Sequence, residues 1–144
     1  MKNEPIRVKE FLSLPMEIEQ KIKSLELKKE ALETMAENIT STLNASPGGG
    51  TPEAHRMEKL LAEAADLDKR IKKLRGMKTD AEKDIADAIE KLENPLQQAI
   101  LQKKYIYNKQ RAQIARELHY TSNYINILEC KALKELQNLL NHQD

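Results

Sequence analysis

Residues 114–125 read IARELHYTSNYI, and the fold turns on whether they form one amphipathic helix or two helices with a corner between them. Ile114, Ala115 and Leu118 mark one face of a short helix. His119, Tyr120 and Thr121 are mediocre helix formers, and the apolar face skips as it crosses them. Thr121 then offers its hydroxyl as an N-cap, and Ile125, Leu128, Ala132, Leu133, Leu136 and Leu140 line the next helix. The small Ala115 suits a close helix crossing. The spacing predicts two helices and a corner, a helix-turn-helix.

Working outward, Asn94-Pro95 pairs a good N-cap with the residue favoured at the first helical position, so a new helix is expected there. Leu96, Ala99, Ile100, Lys103, Tyr105 and Ile106 carry it to about Tyr107, with Asn108 as a left-handed terminator. Tyr105, at helical spacing from Leu101, reads as core.

Further upstream the pattern becomes heptad. Ile18, Ile22, Leu25, Lys29, Leu32, Ala36, Ile39 and Leu43 alternate steps of four and three. Met57, Leu60, Ala64, Leu67, Ile71, Leu74, Lys78, Ala81, Ile85, Ala88 and Leu92 do the same. Such alternation is the seam of a coiled coil. Between the seams lies NASPGGGTPE, residues 44–53, which holds three of the four glycines and two of the five prolines. A connector this short predicts an antiparallel hairpin, although the same seam could pair with a second chain. The stretch VKEFLSL, with Val8, Phe11 and Leu14, is placed to run beside Ile85–Leu92. Pro15 is read in the first turn of the main helix, with Ser13 as its cap. The long stems of Lys29 and Lys78 can cover apolar surface while the ammonium stays wet.

The fold expected is therefore all-α: a long antiparallel helical hairpin (coiled coil) over residues 1–93, then a C-terminal helix-turn-helix bundle over 94–144. The net charge of +1 divides unevenly between these parts. Residues 1–93 carry 17 basic and 19 acidic side chains, and residues 94–144 carry 7 and 4. Four of the five aromatics, Tyr105, Tyr107, Tyr120 and Tyr124, lie in the basic part. Cys130 is the only cysteine, so no internal disulfide can form. The opening MKNEPIRVKE has no apolar core, so no signal peptide is expected, and no window suits a membrane span. A cytoplasmic protein is expected. His55, His119 and His142 stand too far apart for a zinc site, and GGG at 48–50 lacks the Lys-Ser/Thr of a phosphate loop. Neither a catalytic constellation nor a metal or other cofactor is expected; an enzyme is not the reading.

A helix-turn-helix sets its second helix in the major groove, with residues near that helix's start facing base edges. Counted from Thr121, the outward positions are Ser122, Asn123, Tyr124, Asn126 and Ile127. Asparagine can bond adenine through its amide, serine suits base or phosphate, and Tyr or Ile can touch thymine methyls. Lys109, Arg111, Thr121, Lys131 and Lys134 are the expected phosphate contacts. No Asp or Glu occurs from 118 to 128, which keeps that helix start free of phosphate repulsion.

The run NPLQQAILQKKYIYNKQRAQIARELHYTSNYINILECKALKELQ resembles the helix-turn-helix of sigma-factor region four. The agreement lies in IA-x-x-L at 114–118, Thr-Ser at 121–122 and I-x-x-L-E-x-K-A-L at 125–133. With a charged hairpin in front, the chain is similar to small sigma-like regulators of phages and prophages of Gram-positive bacteria, related to the ArpU and RinA late-transcription activators. The resemblance implies base-facing roles for Ser122, Asn123, Tyr124 and Ile127, with Asn126 and Lys131 nearer the backbone. It also implies a transcription regulator of double-stranded DNA whose hairpin dimerises or touches RNA polymerase. The chain departs from that family where His119 replaces the corner glycine. Gln110 stands in place of the usual Ser or Thr, Arg111 replaces an apolar residue, and the recognition helix lacks arginine. Two other readings remain at this stage. A phage small terminase subunit also joins a helix-turn-helix to coiled-coil helices, and a coiled-coil adaptor would have no nucleic-acid role.

Overall fold

The computed structural model describes residues 7–45 and 52–142, and the described residues are helical with no strand. In chain order they form α1 (Val8–Ala45), α2 (Pro52–Glu90), α3 (Pro95–Leu101), a π-helical continuation (Gln102–Ile106), α4 (Arg111–Leu118) and α5 (Ser122–Asn141). The all-α expectation holds. The chain packs as two compact units, Met16–Lys78 on one hand and Met1–Pro15 with Thr79–Asp144 on the other. These units do not divide at the 93/94 boundary where the heptad register ends.

In the unit Met16–Lys78 the two seams face each other. Ile18, Ile22, Ala36, Ile39, Ala64, Leu67 and Ile71 are buried, and Leu25, Leu32, Met57, Leu60 and Leu74 are half-buried. Cross-helix contacts fix the direction: Glu19 meets Lys78, Lys29 meets Asp68, and Thr40 meets Met57. Each step forward on α1 is matched by a step back on α2, so the hairpin is antiparallel. The two seam lysines behave as their stems allow. Both are half-buried, and their ammonium groups reach across to carboxylates, Lys78 to Glu19 at 2.8 Å and Lys29 to Asp68 at 3.2 Å. Hydrogen bonds from these lysines hold the Glu19 and Asp68 carboxyls below their usual range, with Lys72 adding to the effect at Asp68. Leu43 and the expected loop residues 46–51 lie outside the described side chains.

The unit of Met1–Pro15 and Thr79–Asp144 has its own core. Val8 and Leu12 pack with Ile85, Ala88, Ile89 and Leu92, and with Leu101, Ala132, Leu133, Leu136 and Leu140. Phe11 and Tyr105 are partly buried against it. The N-terminal stretch thus covers Ile85–Leu92 as expected, but Leu12 points inward where Leu14 was expected, and Leu14 is exposed. The reason is that α1 begins at Val8, so Pro15 sits inside the helix rather than in its first turn. Ser13 is no cap; its hydroxyl donates to the Lys9 carbonyl at 2.7 Å. An interior proline costs about 3 kcal/mol by losing its N–H bond and crowding the preceding turn. Burial of Val8 and Leu12 on either side of the same helical face offsets that cost.

Candidate nucleic-acid interface

Asn94 caps α3 as its sequence position predicts, accepting from the Leu96 and Gln97 N–H groups at 2.9 and 3.3 Å. Beyond Leu101 the helix widens: the Tyr107 N–H donates to the Gln102 carbonyl at 3.1 Å, five residues back. This π segment was not expected. It directs neighbouring lysines to different helices, Lys103 to Glu117 of α4 at 2.7 Å and Lys104 to Glu129 of α5 at 2.6 Å. Asn108 then turns the chain in the left-handed conformation, φ 55°, and the chain enters α4. Gln110, at the N-cap of α4, makes no side-chain capping bond.

The corner is where the break in pattern places it. The Tyr120 N–H donates to the Ala115 carbonyl at 3.0 Å and the His119 N–H to that of Arg116 at 3.4 Å, closing α4 with the paired bonds of a Schellman turn. His119 supplies the left-handed residue with φ 64° and ψ 42°, a conformation that costs a side-chain-bearing residue about 1–2 kcal/mol. Thr121 caps α5 by accepting from the Tyr124 N–H at 3.1 Å. Ile114 and Ala115 of α4 and Ile125 and Leu128 of α5 close on Ile100 of α3, with Leu96 and Leu118 partly buried beside them. His119→Gly is therefore expected to raise the stability of this unit by about 0.5–1 kcal/mol, the gain being trimmed by the greater freedom of glycine in the unfolded chain. An unchanged or lowered urea midpoint would show that the histidine side chain contributes something the backbone geometry does not.

Of the expected base-facing residues, Ser122, Asn123, Tyr124 and Ile127 are exposed and Asn126 is half-buried. Asn123, Ile127, Cys130 and Lys134 follow each other at steps of three and four, with Tyr124 and Lys131 beside them, so one exposed stripe runs down α5. Tyr120 joins this surface from the corner, its ring 5.1 Å from that of Tyr124. The sequence alone places neither Tyr120 nor Cys130 on this surface; the helical spacing of Cys130 from Asn123 and Ile127 is visible in the sequence, whereas Tyr120 lies in the corner, outside α5. Arg111, Thr121, Lys131 and Lys134 are exposed, as contacts to phosphate require. Lys109 is placed differently. Its ammonium lies 2.8 Å from Glu117, which also binds Lys103, so its charge is engaged within the fold.

Those two hydrogen bonds lower the Glu117 carboxyl to about 2, Lys103 contributing the larger part. A carboxyl lowered on folding stabilises the fold above its unfolded value, and the stabilisation is lost as pH falls. Between pH 4.5 and about 2 the unit should therefore lose stability through this group. In Glu117→Gln the slope of melting temperature against pH across that window should be shallower. An identical slope would mean that the pair forms without coupling to folding.

The chain matches no protein-family model, and neither the curated proteins nor the solved structures contain a significant match to it.

Proposed function

We propose that α4 and α5 form a helix-turn-helix that binds duplex DNA, with α5 in the major groove, and that the protein is a sequence-reading transcription regulator. One observation carries this reading. The capped corner turns the exposed stripe of α5 outward, and that stripe begins with amide, phenol and aliphatic groups and continues into Lys131 and Lys134 with no carboxylate among its members. Duplex DNA needs this order: groups for base edges near the helix start and cations for flanking phosphates. The N-terminus of α5, with Thr121 capping it, adds a favourable dipole toward phosphate. The likeness to sigma-factor region four supports the same docking, and no helix among the described residues is long and apolar enough to cross a membrane.

Phosphate contacts through Arg111, Lys131 and Lys134 supply salt-sensitive affinity, and Asn123, Tyr124 and Ile127 supply choice of sequence. Selection of random duplexes by the purified protein should recover a consensus. Asn123→Ala with Asn126→Ala should weaken consensus binding about 10- to 100-fold while leaving capture of unrelated duplexes nearly unchanged. Lys131→Ala with Lys134→Ala should weaken binding to all duplexes alike and flatten its salt dependence. Capture without any consensus would replace the regulator by a non-specific binder, and a large closed ring in sedimentation would favour the small terminase reading. Failure to bind even at low salt would leave the coiled-coil adaptor.

A further inference from the structure

The hairpin unit Met16–Lys78 carries two flanks beside its seam, and they differ in chemistry. On one flank opposite charges close on each other. Glu26 meets Arg75 at 2.8 Å, and Asp68 meets Lys29 at 3.2 Å and Lys72 at 3.3 Å. On the other flank of α2, Glu63, Asp66, Arg70 and Lys73 are all exposed, and none of them has a partner among the described residues. Steps of three, four and three hold these four on one helical face. Their order is acid, acid, base, base, and they stand five and two residues before Asp68 and two and five residues after it. A half turn about the level of Asp68 therefore superimposes each acid on a base.

The same flank has an apolar counterpart. Leu25, Leu74 and Met77 floor a groove of about 440 Å³ rimmed by Lys21, Arg70 and Lys73. Farther along α1, Met35 is exposed one position before the buried seam residue Ala36, as Lys21 and Ser24 stand one position before Ile22 and Leu25. The Lys29–Asp68 pair shows which residue of α1 is level with the centre of the charge pattern. Met35 lies six residues beyond Lys29, and the groove lies four to eight residues before it.

We infer that this flank is the interface of an antiparallel homodimer with two-fold symmetry, in which Arg70 and Lys73 of each copy pair with Asp66 and Glu63 of the other and Met35 of each enters the other's groove. The result is a four-helix bundle with α1 lying on α1 and α2 on α2. A two-fold axis makes an interface self-complementary, so every contact is made twice. Symmetry about the other axis, parallel to the helices, sets α2 against α1 of the second copy and so takes both acids away from Arg70 and Lys73. The proposed axis does bring Lys28 of the two copies near each other, a single repulsion against four α2 pairs. The rim charges fix direction and register, while the methionines and the groove floor supply apolar burial with an adaptable fit. This inference stands on the hairpin alone and does not depend on DNA binding.

The test is sedimentation equilibrium of the full chain at roughly micromolar to hundred-micromolar concentrations. Wild type should be a dimer. Arg70→Glu with Lys73→Glu should dissociate at least tenfold more readily, and so should Glu63→Arg with Asp66→Arg. Mixed in equal amounts, the two variants should form a heterodimer, because the four α2 positions are then all acidic in one copy and all basic in the other. Circular dichroism monitors folding throughout. If a charge-reversed chain loses helicity, Met35→Gln tests the same face and should weaken the dimer at unchanged helicity. The inference is overturned by a wild type that stays monomeric or forms a higher ring. A folded variant that dimerises as wild type does, or two folded variants that fail to combine, overturns it equally.

Discussion

In Ile125→Asp the thermal transition of the helix-turn-helix is expected to disappear, with loss of helicity already at room temperature. Ile125 is 0% exposed and closes the crossing with Ile100, Ile114, Ala115 and Leu128. Removing its branched side chain alone costs about 2–5 kcal/mol, and the new carboxylate has no partner in this apolar cluster. Together these approach or exceed the roughly 5–15 kcal/mol that holds an ordinary domain folded. Ile127, two residues on, is 44% exposed and makes the control. Ile127→Asp should melt within about 0.5 kcal/mol of wild type, as surface substitutions do. It should nevertheless lose the proposed DNA capture, because a carboxylate brought into the groove is repelled by the phosphates on either side. The pair separates scaffold from the proposed reading surface by two residues. Equal melting curves for the two variants would sink the corner assignment.

Lys104→Met is expected to destabilise the same unit by about 3–5 kcal/mol, the cost of leaving a buried carboxylate without its cation. Glu129 is only 5% exposed, and its Oε2 accepts from Lys104 at 2.6 Å. Its Oε1 is buried without a hydrogen-bond partner among the described residues, so the lysine supplies all the compensation the fold provides. The same arrangement also pushes the Tyr105 hydroxyl upward, chiefly through burial and partly through the Glu129 charge, with Lys104 acting in opposition. In the double variant Lys104→Met with Glu129→Met the charge is gone, and stability should return to wild type or pass it by about 1–4 kcal/mol. Urea denaturation of the two single variants and the double variant measures the coupling. Additive single effects would mean that the ion pair carries no energy of its own.

What could be read from the sequence was what local chemistry decides. The seams around Ile22 and Ile71 follow from periodicity, and the caps at Asn94 and Thr121 follow from side chains that bond their own next turn. The corner at 119–121 was legible because the apolar stripe breaks there, even though histidine replaces glycine. Three features were decided by distant residues instead. Pro15 looked like a helix start until Val8 and Leu12 were seen packed on Ile85 and Leu92, which stabilises a helix that begins seven residues earlier. No local pattern announces the widened segment Gln102–Ile106, nor the division of Lys103 and Lys104 between α4 and α5 that goes with it. Lys109 reads as a solvent-facing cation in the sequence because its partner Glu117 lies eight residues on, in the last turn of α4. In the candidate site, spacing sufficed for the exposed positions of α5, whereas the Tyr120–Tyr124 pairing needed the corner's geometry.

The first N–H of α1, that of Val8, donates to the side-chain oxygen of Gln137 at 2.8 Å, a bond that closes over 129 residues. During synthesis, at about 5–20 residues per second, the first turn of α1 must wait on the order of ten seconds for its partner to be made. Closing so long a loop is slow compared with forming a helical hairpin, whose contacts lie near in sequence. Residues 16–78 can pair while the chain is still on the ribosome, but Val8 and Leu12 stay without their final partners until α5 has emerged. A chain truncated before Gln137 would therefore leave the α1 end of this core partly uncovered as well as the cut end. Quality control acting on stalled or shortened copies would meet part of the lesion more than a hundred residues from the break.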